Sequence, residues 1–348
     1  MIVGVGQVNE DDANAPEPAQ LLAEASRRAI TDSGAPRIVA AVESVKVVRI
    51  VSWRYMDPGR LVAHELGMDG VHTVVSTHGG HTPQVLLDRA ALDILAGRVD
   101  VVLIGGAESF KTRVAFDRRH ERPPWTRQDP DVKPDEVVGD KLKMMNDVEQ
   151  SVGLSNPPEA YALCESALWT GSNDSRRAHL AAIGGLWKSF SEVAANNATA
   201  ALPRHLEPDQ IVTPTSWNRM IAFPYTKLLS SNSSVNQAAA LLVCSAERAR
   251  SLGIDRSRWV FPIAAAEANE VPFLSNRRHL DESLALRACN DALFSRRRLS
   301  IDEVQYLDVY SCFPSAVEIA AAELGVTDRR PLTVTGGSPS PVALGTTT

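Results

Sequence analysis

The stretch Val74–Gln84, VVSTHGGHTPQ, leaves an apolar strand-like run, crosses two adjacent glycines and reaches Pro83 at the start of a helical pattern. A strand, a turn that glycine follows without steric penalty, and a helix N-terminus aim backbone N–H groups and the positive end of a helix dipole at one point. Such a point suits a nucleophile or an anion. Its tip carries Gly79, Gly80 and His81, with no cysteine and no elbow serine. His81 is therefore the candidate base of this corner; its other reading is a polar loop residue whose ring bonds the backbone. A second corner repeats the order. In VQYLDVYSCFPSAVEIAAAELG (304–325) an apolar run, a short loop, Pro314 and the stop Gly325 stand where Pro83 and Gly97 stand in the first. Tyr310, at the end of that run, stands at this second corner; its other reading is a buried aromatic with a bonded hydroxyl. Cys312 reads as a small packing residue. Two similar units with equivalent corners would place two half-sites on one cleft.

These corners need elements to hold them. IVGVGQ (2–7), SVKVVRIV (44–51), HTVVS (72–76) and VDVVLIGG (99–106) read as strands. Helical patterns lie between them: one follows Pro18 and stops at Gly34, one has Asp57 as cap and Pro58 in its first turn, and one is capped by Thr82 and stopped by Gly97. Strands alternating with helices imply a mainly parallel sheet covered on both faces. From about Ser109 to Ser230 the rhythm breaks into a segment rich in Arg, Asp, Pro and Trp, with helical patches such as HLAAIGGLWKSFSEVAANNATA. A long insertion folded over the sheet accounts for it, because structureless loops of that length are rare in compact domains. Alternation returns with NQAAALLVC (236–244) as a strand, SAERARSLG as a helix and WVFPIAAAEA (259–268) as a strand.

With 348 residues, 44% hydrophobic and 22% charged, the chain has the composition of a folded globular protein. A formal charge of −6 gives no basic footprint, so no nucleic-acid partner is expected; the cluster Arg296, Arg297 and Arg298 reads as a solvated helix end. Cys164, Cys244, Cys289 and Cys312 are scattered without a CxxC pair, which argues against a zinc site or disulfide framework and fits a reducing cytoplasm. Apolar runs such as QAAALLVC are too short to span a bilayer, and no leader opens the chain, so neither membrane nor export is expected.

Taken together, IVGVGQV, HTPQ…RAALDILAG…DVVLIGGAE, FPYTKL…NQAAALLVCSAERA and LDVYSCFPSAVEIAAAELG…LTVTGG resemble the thiolase superfamily, nearest to its sterol-carrier-protein-thiolase-like members, over almost the whole chain. The resemblance implies a thiolase-like α/β fold of two related βαβαβαββ halves: residues 1–108 with 231–255, and 256–348, around an inserted loop domain at 109–230. It also implies a homodimer, coenzyme A thioesters as substrates with no separate cofactor, and acyl transfer of the acetyl-CoA acetyltransferase type through a cysteine at a helix N-terminus. Counting from Glu108 puts that cysteine at Gly80 or, with one gap, at His81, so the thiol is missing. Tyr310 takes the place of the family's catalytic His or Asn, and by resemblance to thiolase-like aldolases it would be the candidate acid or base of a retro-aldol cleavage. Gly79, Gly80, Gly336 and Gly337 would let a thioester approach the backbone. Besides acyl-CoA handling without the nucleophile, three readings stand: a retro-aldolase on a branched acyl-CoA that uses Tyr310 with a partner domain or dimer completing its pocket, a non-catalytic acyl-CoA or lipid-binding protein, and a truncated chain with no function.

After Gly336 and Gly337 the family's Gly-His-Pro motif is absent, and Ser338–Thr348, SPSPVALGTTT, follows no pattern. Back-translated with TCN serines and moved back one base, this tail admits Leu-Thr-Phe-Ala-Gly-Gly-Pro-Trp-Asn-Asn-Tyr, the continuation expected of a close relative. The expectation is that a one-base frameshift truncates the chain and scrambles its last residues; coding DNA in which no one-base correction restores that peptide would refute it.

Overall fold

A computed structural model describes residues 1–140, 143–297, 299–328 and 330–337. In chain order come β1 (Ile2–Asn9), α1 (Pro18–Asp32), β2 (Ser44–Val47), α2 (Pro58–Glu65), β3 (His72–Ser76), α3 (Thr82–Leu95) and β4 (Val101–Ser109). Then follow α4 (Phe110–Arg118), β5 (Glu136–Val138), α5 (Asp147–Ser151), α6 (Pro157–Ser172), α7 (Arg176–Ala195) and α8 (Pro208–Val212). The chain continues through β6 (Met220–Ala222), β7 (Tyr225–Thr226), β8 (Asn236–Cys244), α9 (Ala246–Ser251), α10 (Leu284–Arg297) and α11 (Pro314–Glu323). Among the described residues, 1–140 with 233–263 form one compact unit and 143–232 with 264–337 a second.

The first unit is built on a six-stranded sheet in the order β1-β8-β4-β2-β3-β5. Strand β2 pairs in parallel with β3 and β4, β3 pairs in parallel with β5, and β8 runs antiparallel to β1 and β4. All nine positions of β4 are buried, as a strand covered on both faces requires. Alternate side chains serve two cores. Val45, Val47, Val101 and Leu103 pack with Leu22, Ala25 and Val62, while Val74, Val102 and Ile104 pack with Leu86 and Ala90 of α3. Helix α1 lies close against β1 because Gly4 and Gly6 carry no Cβ: one built there would stand 2.2 Å from the Ala29 carbonyl oxygen and 2.0 Å from that of Ala25. The second unit is mainly helical, around a core that joins Ile183, Trp187 and Phe190 of α7 to Tyr225, Phe313 and Val317.

This is the mixed α/β, thiolase-like architecture expected, with differences in detail. Strand β5 comes from the segment read as insertion and extends the parallel part of the sheet. Helix α3 starts one residue before its expected first turn, with His81 at the cap position, so Thr82 is helical and its hydroxyl donates to the Gly79 carbonyl at 2.8 Å. The runs 259–268 and 304–310 form no strand among the described residues; Val260 makes one isolated bridge to Ile2, and the Val309 amide donates to the Leu332 carbonyl. Their β-branched and aromatic content read as strand, but a strand persists only with a neighbour to complete its ladder. The expected βαβαβαββ pattern of the second half is thus not drawn in strands over these residues. The arginine cluster falls at the end of α10, with Arg298 outside the described residues, as is the tail Ser338–Thr348. Among the described residues no helix is long and apolar enough to cross a membrane.

Candidate functional site

At the first corner β3 delivers the loop Thr77–His81 to α3. His81 is exposed, and Gly79 and Gly80 are half-buried. A Cβ on Gly79 would come within 2.9 Å of the His81 ring, so the glycine makes room for that imidazole. Two amides at the start of α3 close turns on the loop's own carbonyls. Thr82 N–H donates to the Gly79 carbonyl at 3.1 Å, Pro83 has no N–H, and Gln84 N–H donates to the His81 carbonyl at 3.0 Å. With no thiol at its tip, this corner has no side chain that could form an acyl-enzyme.

At the second corner, Ser311, Cys312, Phe313 and Ser315 are each no more than 2% exposed. Phe313 stacks on Tyr161 of α6 with ring centroids 4.7 Å apart and lies 5.1 Å from the ring of Tyr225. The Cys312 thiol meets the hydroxyls of both Tyr161 and Tyr310. Burial pushes that thiol up to about 12. Tyr310 keeps 38% exposure as a residue, yet its hydroxyl reaches this buried thiol; burial first, then Cys312, hold the phenol above its ordinary range. Tyr161 is raised in the same way. The result is a phenol–thiol–phenol group, all protonated at neutral pH.

Behind it lies a polar cluster that sequence reasoning missed. Tyr225 donates to Glu165 at 2.7 Å and shares a hydrogen bond with Ser315 at 2.8 Å, and His179 Nε2 sits 2.7 Å from Glu165 Oε1. The Ser315 amide also bonds the Glu165 carboxylate, so a side chain of α6 occupies the N-terminus of α11. Glu318, hydrogen-bonded to Glu165, is pushed up to about 8, by burial first and then by the charge of Glu165; burial raises Glu165 as well. Four elements, α6, α7, β7 and α11, meet here and fix Tyr161 and Cys312 in place. The one signal in the sequence was Glu165, a charge four residues after Tyr161 and so on the buried face of α6.

Gly336 and Gly337 adopt φ of +97° and +76°. Cβ atoms there would stand 2.5 Å from Ala194 and 2.5 Å from Phe190 of α7, the latter also 2.7 Å from the Ser311 hydroxyl. The two glycines thus press the chain against α7 beside the Tyr310 corner. Tyr310, Gly336 and Gly337 belong to the second unit, and Gly79, Gly80 and His81 to the first. On the second unit, Tyr161 and Cys164 also line a largely apolar cavity of about 230 Å³, with Met144, Met145, Leu274 and Arg277.

No protein-family model and no curated protein matches the chain. Among solved structures it is similar to a monomeric SCP2-thiolase-like protein type 1 from Mycobacterium smegmatis, 31% identical over 99% of this chain and 68% of that one, with a TM-score of 0.80. The chain belongs to the SCP2-thiolase-like family. Two more distant structures share the fold: an Ltp2–ChsH2(DUF35) aldolase at 19% identity, covering 94% of this chain and 77% of that one with a TM-score of 0.67, and an acetyl-CoA acetyltransferase from Syntrophomonas wolfei at 13%, covering 97% and 88% with a TM-score of 0.63. Within this SCP2-thiolase-like chain every cysteine is held protonated. Burial raises Cys164 and Cys289, and raises Cys244 to about 11 and Cys312 to about 12.

Proposed function

We propose that this SCP2-thiolase-like chain handles acyl-CoA thioesters without forming an acyl-enzyme. The observation that carries the reading is the state of its thiols: none stands at the α3 corner, and the four present are kept protonated by burial, whereas thioester exchange needs a thiolate. The cavity beside Tyr161 supplies an apolar bed for an acyl chain, and Arg277 offers it a positive charge. Tyr310 is protonated and is exposed in part as a residue, and its hydroxyl, now on the Cys312 thiol, would donate to a thioester oxygen brought beside it.

That donor supports a second reading, retro-aldol cleavage of a branched β-hydroxyacyl-CoA. The β-hydroxyl gives its proton to solvent, the Cα–Cβ bond breaks as its electron pair moves into an enolate whose oxygen Tyr310 bonds, a ketone leaves, and Cα takes up a proton from solvent. A protein with this fold is named an aldolase, and the same reading has a partner domain complete the pocket.

A thermal-shift titration with CoA and acetyl-CoA tests the first reading, because a ligand that binds only the folded state raises the melting temperature. A concentration-dependent rise is expected, and its absence would sink the proposal. Cleavage that survives Tyr310→Phe would remove the retro-aldol reading.

A further inference from the structure

The first unit holds a cavity of about 160 Å³ on the loops that follow β2 and β3, lined by Arg49, Trp53, Arg54, Tyr55 and His78 among others. In open sheets with parallel strands, ligands bind at such strand ends. The lining carries two arginines and a histidine and no carboxylate. Elsewhere in this unit arginines meet carboxylates: Arg60 holds Asp135 at 3.1 Å, Arg89 holds Glu136 at 3.0 Å, Arg98 holds Asp93 at 2.7 Å and Arg248 holds Asp100 at 3.0 Å. Arg49 and Arg54 are exposed, and neither guanidinium has a hydrogen bond or ion pair to a described residue. Two further cations stand by the Trp53 ring, with Arg113 and Arg127 at 5.7 and 5.8 Å from its centre. Two carboxylates bonded to the residues around the cavity are already engaged: Glu108 accepts the Val51 and Ser52 amides, and Glu17 accepts the Tyr55 hydroxyl and Thr126. His78 is held below its ordinary range by burial and then by the charge of Arg49, which leaves a neutral ring able to donate beside two arginines.

In a chain of net charge −6, two unpaired guanidinium forks converging on one cavity form an unmet demand for a multivalent anion. We propose that this cavity binds a phosphate group, with Arg49 and Arg54 as its charge partners and His78 as a hydrogen-bond donor. Planar guanidinium forks match phosphate oxygens in pairs. The phosphate could be free phosphate or diphosphate, or part of a CoA thioester. The site is independent of the Tyr310 reading, since it rests on residues of the first unit alone.

The test is thermal shift of the full chain at constant ionic strength, with phosphate, diphosphate, CoA and chloride as control, for the wild type and for the double variant Arg49→Ala, Arg54→Ala. Both side chains are exposed, so the variant should melt as the wild type does without ligand. The expected result is a rise with diphosphate that chloride does not give, and an apparent affinity at least tenfold weaker in the variant. A CoA shift weakened in parallel assigns the site to the thioester's phosphates; a CoA shift left intact assigns it to free phosphate or diphosphate. No rise with either phosphate or diphosphate overturns the proposal, as does a rise that persists unchanged in the variant.

Discussion

The corners ahead of α3 and α11 share an order of residues and differ in what holds them. Ahead of α3, strand β3 is clamped between β2 and β5, and the loop tip with His81 lies in solvent. Ahead of α11, the run 304–311 has no ladder among the described residues, yet Ser311 to Ser315 are buried under aromatic rings and a carboxylate network. Backbone pairing fixes the first corner, and side-chain packing the second. The firmly built corner carries no thiol, while the one with the Tyr161–Cys312–Tyr310 group is packed on Phe313, Tyr225 and Glu165. The difference teaches that one order of residues, an apolar run, a loop, a proline and a helix, can be held by a sheet in one place and by side chains in another.

Substitutions can break this contrast. Phe313→Ala removes the ring between Tyr161 and Tyr225 and should lower stability by about 3–5 kcal/mol in urea denaturation; a loss under about 1 kcal/mol would mean that the second corner does not rest on packing. Gly336→Ala forces a side chain into φ +97° and against Ala194, and should cost about 1–3 kcal/mol, read in the same way.

The carboxylate network sharpens the contrast through pH. Glu318, ordinarily at 4.5, titrates at about 8 when folded, so the native state holds a proton that the unfolded chain gives up. Its contribution to stability is therefore complete below about pH 4.5 and is lost as the pH rises through about 8. Melting temperature should fall by a few degrees between pH 6 and 9, and Glu318→Gln, which keeps the neutral form, should flatten that fall. An unchanged slope in the variant would show that the loss arises elsewhere. The smallest effect is expected at the first corner, where His81→Ala should change stability by less than about 0.5 kcal/mol in denaturant, as for an exposed loop residue.

Much of the scaffold was legible in the sequence. Strands β3 and β8 fall on the runs HTVVS and NQAAALLVC because continuous apolar stretches between polar residues leave little choice of register. Asp57 caps α2 as its position before Pro58 implied, its carboxylate accepting the Arg60 amide. Pairing over long distances was not legible. Lys46 is 2% exposed inside β2 and tied to Asp93 at 3.0 Å, and nothing near either residue announces the other. The cluster of Glu165, His179, Tyr225 and Glu318 draws on four elements, and the Arg49–Arg54 cavity on two loops, so no local spacing could reveal them. The run 304–310 failed as a strand for the same reason: composition reports what a segment could do, and its partner decides whether it does.

The most direct test of the central claim is intact-mass measurement after incubation with acetyl-CoA, run beside the melting titration. The account predicts a raised melting temperature with every cysteine unmodified. An acetyl group mapped to Cys312, or to any of the other three cysteines, would contradict it.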